Sequence, residues 1–154
     1  MKMHQFWSLA VGAIFLAAAI SGYASTVYDL NTDWSDAANP NGPWTYRQGT
    51  TALPSQANWL PGQFSGVQPA WAVAASGLNH VSAWLKSSAT PLFNVADLDF
   101  QIGDVLVHTQ DGSGPGLGPA NVIWTSPITG VADITGSVWL ARNIGRGSAI
   151  SAFS

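Results

Sequence analysis

Glycine and proline cut this chain into pieces too short for helices. Sixteen Gly and nine Pro are spread over 154 residues, and beyond residue 24 they leave apolar runs of only a few residues. Short runs rich in Val, Ile, Thr, Tyr and Trp, bounded by turn residues, are a strand signature. Their spacing of roughly 8–12 residues predicts an all-β antiparallel sandwich of seven or eight strands.

Composition narrows the choice further. Charged residues make up 8%, against roughly 25% in ordinary domains. All eight acids are Asp, with five Lys/Arg and no Cys. Nucleic-acid binding needs a clustered basic footprint, and five scattered cations exclude it. Glu and Lys are too scarce for a helical bundle or coiled coil. Without Cys there is no disulfide framework and no thiolate zinc site. Eight Trp and 47% hydrophobic residues place the chain outside the disordered class.

Residues 1–24 read as a secretory signal peptide. Lys2 supplies the positive start, and residues 6–20 are almost wholly apolar. That run is shorter than the ~20 residues a spanning helix requires. Gly22-Tyr23-Ala24 offers small residues at both cleavage positions. The alternative is a retained anchor. The absence of a following Cys excludes a lipoprotein. The expected mature domain covers residues 25–154, with Arg47, Lys86, Arg142 and Arg146 facing all eight Asp. It is exported, and no stable membrane span remains after cleavage.

Along that domain, strands are expected at 26–30, 44–47, 70–75, 81–85, 104–109, 121–126 and 131–141. A short helix is the alternative at 70–75, because Ala favours helices. Asn39-Pro40-Asn41-Gly42-Pro43 is a turn: Asn and Gly tolerate positive φ, and Pro fixes it near −65°. Residues 50–68 read as an irregular loop with Asn58-Trp59-Leu60 tucked against the core. Residues 110–119 form a Gly/Pro loop. Pro127-Ile128-Thr129-Gly130 turns the chain so that Trp124 meets Ile134 across a hairpin. Residues 148–154 alternate as a strand and stop within it, which predicts an incomplete C-terminus.

Several of these segments occur together elsewhere. Behind the signal peptide come Val27-Tyr28-Asp29-Leu30, Trp34-Ser35 and Asn39-Pro40-Asn41-Gly42-Pro43-Trp44-Thr45-Tyr46. Gly103-Asp104-Val105-Leu106-Val107-His108 and Val122-Ile123-Trp124-Thr125-Ser126-Pro127 with Gly130 follow. The set resembles secreted bacterial proteins of the PEP-CTERM (exosortase-sorted) kind. The resemblance implies the front part of a jelly-roll domain of carbohydrate-binding appearance, and it implies no catalytic residues. The Pro-Glu-Pro tail, hydrophobic helix and basic end of that family do not occur in these residues, so the chain reads as truncated before a sorting tail.

Candidate chemistry is sparse. A glycosidase needs two carboxylates, and Asp97, Asp99, Asp104 and Asp111 are the candidates. Asp on turns more often caps backbone N–H groups. Gly112-Ser113-Gly114-Pro115-Gly116 does not match a nucleophile elbow, and His80 and His108 are the only His of the mature chain. The same glycine run is no phosphate cradle, because no Gly-Lys-Ser/Thr follows it. Calcium takes oxygen ligands, which makes Asp97, Asp99 and Asp111 a candidate Ca²⁺ set. The indoles are the remaining feature. Trp34, Trp44 and Trp59 lie in or beside polar, Pro/Gly-rich segments, where an indole can offer an aromatic wall to a sugar. Packing in the core is the competing role.

The expected function is therefore a non-catalytic, secreted β-sandwich module that binds extracellular polysaccharide or contributes to matrix, with Trp34, Trp44 and Trp59 as ligand-binding residues. The alternatives are a purely structural surface or biofilm protein without a ligand site, and a hydrolase.

Overall fold

The structure is a computed structural model that describes residues 25–60, 66–76, 81–88, 99–109 and 118–141. Among these residues there is no helix, and every pair of neighbouring strands is antiparallel. The strands are β1 (Trp44–Gln48), β2 (Thr51–Ala52), β3 (Ser55–Trp59), β4 (Gln68–Ala72), β5 (Ala83–Lys86), β6 (Val105–His108) and β7 (Ala120–Trp124). They form a three-stranded sheet in the order β2-β1-β7 and a four-stranded sheet in the order β3-β4-β5-β6. The expected all-β antiparallel sandwich is what forms.

Alternation along the strands decides what each sheet buries. From the smaller sheet, Tyr46 meets the rings of Trp71 and Trp84 on the larger one, at centroid distances of 6.5 and 6.0 Å. Leu53 joins them at the corner where the chain leaves β2 for β3, and Val122 packs in from β7. This aromatic layer is the core between the sheets. On the opposite face of the larger sheet, Ala70, Ala72, Ala83 and Leu85 are buried with Trp59, and Leu106 packs against them.

Local chemistry explains the turns. The segment 39–43 bends as expected: Asn39-Pro40 is cis, Gly42 sits at φ 54°, and Asn41 bridges Trp44. Gly118 is required for another reason. Its φ is +98°, and a Cβ there would stand 2.9 Å from the Gly49 Cα. That close approach lets the Gly49 N–H donate to the Pro119 carbonyl at 2.8 Å, where β1 and β7 meet.

The sequence reading needs correction at four places. Residues 26–30 are not a strand. The Asp29 carboxylate accepts from the Asn31 and Thr32 N–H groups, both at 2.8 Å, and this local capping curls the chain into a turn. Residues 50–68 are not all loop, because β2 and β3 lie within them. β3 is an edge strand with mostly exposed polar residues, so its sequence carries no apolar stripe. Residues 131–141 keep a strand-like alternation but form no strand. Trp124 accordingly pairs with Trp44 on β1, while Ile134 is exposed. The expected strand at 148–154 lies outside the described residues.

Candidate functional site

An aromatic platform stands where the chain enters β1. Its support is the loop 29–36, which is pinned from several directions. Lys86 Nζ donates to the Asn31 carbonyl at 2.8 Å, and Asn31 Nδ2 donates to the Gly103 carbonyl at 2.7 Å. Asn41 Nδ2 holds the Asp33 carbonyl. Held this way, the loop accepts hydrogen bonds from three indoles. Trp44 Nε1 donates to Asp33 Oδ2 at 3.1 Å, Trp71 Nε1 to the Ser35 carbonyl at 3.0 Å, and Trp34 Nε1 to Asp36 Oδ1 at 2.8 Å.

These bonds fix the ring edges. Trp34 lies against Tyr46 with centroids 4.6 Å apart and planes inclined at 50°. Trp44 faces its cross-strand partner Trp124, which in turn contacts Tyr28 at 5.8 Å. Trp34 and Trp44 are both only partly buried, and both pack on the cluster around Tyr46. The structure thus brings together two of the three Trp expected at a site.

Trp59 is separated from them. It is 0% exposed, on the far face of the larger sheet, with its ring 5.7 Å from His108 in an edge-on contact. It therefore offers no face to a ligand. β3 turns it inward when it pairs with β4, with Trp59 opposite Gln68.

The other candidates have structural surroundings. His108 Nδ1 lies 3.0 Å from the Val81 carbonyl; a carbonyl only accepts, so Nδ1 carries the proton. Asp104 Oδ2 accepts from the Gln101 N–H at 2.7 Å, which is the capping role weighed against catalysis. Asp99 is exposed; its N–H donates to Ala141, and its carbonyl accepts from Trp139. Asp97 and Asp111 lie outside the described residues, as do His80 and Ser113. Among the described residues no three His or carboxylate side chains gather as a metal site would require.

Asp33 and Asp36 were not singled out from sequence. Their signal was visible as acids flanking an indole in Asp33-Trp34-Ser35-Asp36. Their charge reaches the ring beneath: burial, and then the Asp33 and Asp36 carboxylates, push the Tyr46 phenol up to about 12 from its ordinary 10.0. The folded state thus holds this proton more tightly than the unfolded chain. The stability it contributes is complete below pH 10 and is lost as pH rises toward 12. Chemical denaturation at a series of pH values is expected to show that decline, and Tyr46→Phe is expected to flatten it. An equal decline in both proteins would remove Tyr46 as its source.

The chain matches no family model, no curated protein and no solved structure. The site must therefore be argued on its own chemistry. Two indoles with fixed edges, flanked by carboxylates, suit a ligand that has both apolar C–H faces and hydroxyl donors. A carboxylate offers about four acceptor positions, so Asp36, with one on an indole, retains capacity for a ligand. Among the described residues no helix is long and apolar enough to cross a membrane.

Proposed function

We propose that this protein is a non-catalytic, secreted β-sandwich module that binds polysaccharide through Trp34 and Trp44. The observation that carries the reading is that these two indoles stay partly exposed with their N–H edges tied to Asp36 and Asp33. Trp59, by contrast, is spent entirely on the core. Sugar rings stack their C–H faces on the indoles, and their hydroxyls donate to the carboxylates. Because the edge bonds orient the rings before binding, less conformational freedom is lost on association.

The leader at residues 1–24 supports export. With it, the resemblance to exosortase-sorted bacterial proteins supports a jelly-roll domain of the cell exterior. Ca²⁺ at Asp99 with Asp97 and Asp111 is a subsidiary part of this reading.

The test is retention of the purified protein in gels containing different polysaccharides. Wild type is expected to be retained by at least one of them. Trp34→Ala is expected to weaken retention at least tenfold, or about 1.4 kcal/mol, and, because the ring also covers Tyr46, to lower the melting temperature by a few degrees while the protein stays folded at the assay temperature. Trp34→Phe should fall between the two. Retention unchanged by Trp34→Ala would overturn the assignment of the site. A specific observation favours one other reading: both indoles also pack against the Tyr46 cluster, as they would in a purely structural surface protein. Absence of retention by every glycan would favour that role.

A further inference from the structure

The segment that follows β7 has the composition of a strand and the surroundings of none. It is tied at both ends. Thr125 N–H donates to the Pro43 carbonyl at 2.9 Å, beside the end of β7. At the other end Trp139 Nε1 donates to the Asp99 carbonyl at 2.7 Å, and Asp99 N–H donates to Ala141 at 2.8 Å. Between these ties the chain is bare. Residues 131–140 are all exposed, with Val131 at 100%, Ile134 at 82% and Val138 at 69%. Among the described residues, the backbone groups of 129–138 bond to no other part of the chain.

Its side chains alternate. Ala132, Ile134, Gly136, Val138 and Leu140 share one face of an extended strand; the other carries Asp133, Thr135 and Ser137 at its middle, with Val131 and Trp139 at its two ends. Asp133 is the only charge from Thr125 to Ala141. A row of open N–H and C=O groups with low charge and β-branched side chains is a template for strand pairing.

We propose that residues 130–140 pair with the same residues of a second copy of this chain, antiparallel across a two-fold axis. A two-fold contact needs a self-complementary surface, and this strap supplies one. A register centred on Thr135 merges the two apolar faces and sets each Asp133 opposite a Ser137, keeping like charges apart. Ten extended residues span roughly 33 Å. Pairing two such straps removes roughly 1,000 Å² from water in total, which is where specific interfaces begin. The dimer is therefore reversible and concentration-dependent. The proposal does not depend on the glycan site.

Sedimentation velocity of the purified protein from about 1 to 200 μM tests it. The expected result is a monomer–dimer equilibrium within that range. Hydrogen exchange of amides 129–138 should slow as concentration rises. The double variant Ile134→Asp/Val138→Asp should raise the dissociation constant at least tenfold. Ser137→Pro, which removes a strand donor without adding charge, should act in the same direction. These positions are exposed, so the melting temperature of each dilute variant should match wild type. A monomer at the highest concentration would overturn the proposal, as would a dimer indifferent to these variants. Slow exchange in the dilute monomer would show that the chain pairs the strap itself, and assembly that keeps growing beyond two copies would show an open-ended contact; either result also rejects the two-fold pairing.

Discussion

Replacing Trp59 with alanine is expected to lower the unfolding free energy by about 4 kcal/mol, the middle of the range for buried aromatic truncation. The reason lies in its neighbours. Trp59 is the one large ring in a cluster whose other buried members are Ala70, Ala72, Ala83 and Leu85. Alanine has no flexible side chain that can lean into a vacated space, so most of the cavity persists. Trp59→Phe should cost far less. It keeps most of the ring volume, and the group it discards, the indole N–H, has no hydrogen-bond partner. Urea denaturation gives both values, and an unchanged slope would confirm that stability alone has moved. A loss below about 1 kcal/mol for Trp59→Ala would mean that the far face of the larger sheet is not a core.

Asn39→Ala is expected to cost about 3 kcal/mol, although the residue lies in a turn. Its amide behaves as an extra length of strand. Nδ2 donates to the carbonyls of Tyr46 and Leu53 at 2.9 and 2.8 Å, and Oδ1 accepts the Tyr46 N–H at 2.9 Å. Alanine strands the Tyr46 N–H and the Leu53 carbonyl beside two buried side chains. Each unsatisfied group costs roughly 1–3 kcal/mol. Asn39→Asp is the informative control. It preserves size and the acceptor, yet sets a carboxylate against two carbonyl oxygens, so it should be at least as damaging as alanine. Thermal unfolding of the three proteins decides this. Tolerance of Asp would show that the donor side of the amide contributes little.

What the sequence revealed follows from which interactions are local. The turn at 39–43 and strands β1, β5, β6 and β7 could be placed because turn residues and apolar alternation act over a few positions. β3 could not, since Ser55-Gln56-Ala57-Asn58 is polar and becomes a strand only by pairing with β4. Residues 131–141 show the converse: alternation permits a strand, but a ladder partner makes one. The candidate site divides in the same way. Trp34, Trp44 and Trp59 look alike in sequence, each near Pro or Gly in polar surroundings. Pairing with β4 and packing against Ala83 and Leu85 bury Trp59, whereas the others stay partly open. The acids beside Trp34 are adjacent in sequence. That the same loop also holds Trp44 and Trp71 depends on the chain reversing at 39–43 and on the two sheets packing face to face.

The pairing of β1 with β7 also sets an order of events. β3 through β6 form a sheet in sequence order, so each new strand can add to the one before it. Trp44–Gln48 pairs locally only through Arg47 and Gln48 with β2, and its remaining partners, residues 120–124, come from the other end of the described chain. Contacts of such long sequence separation slow folding, because loop closure comes before any gain. Trp44 belongs to that late pairing. The platform therefore takes its final shape when the smaller sheet closes, and a chain still emerging from synthesis carries the indoles without the arrangement that sets them beside Tyr46.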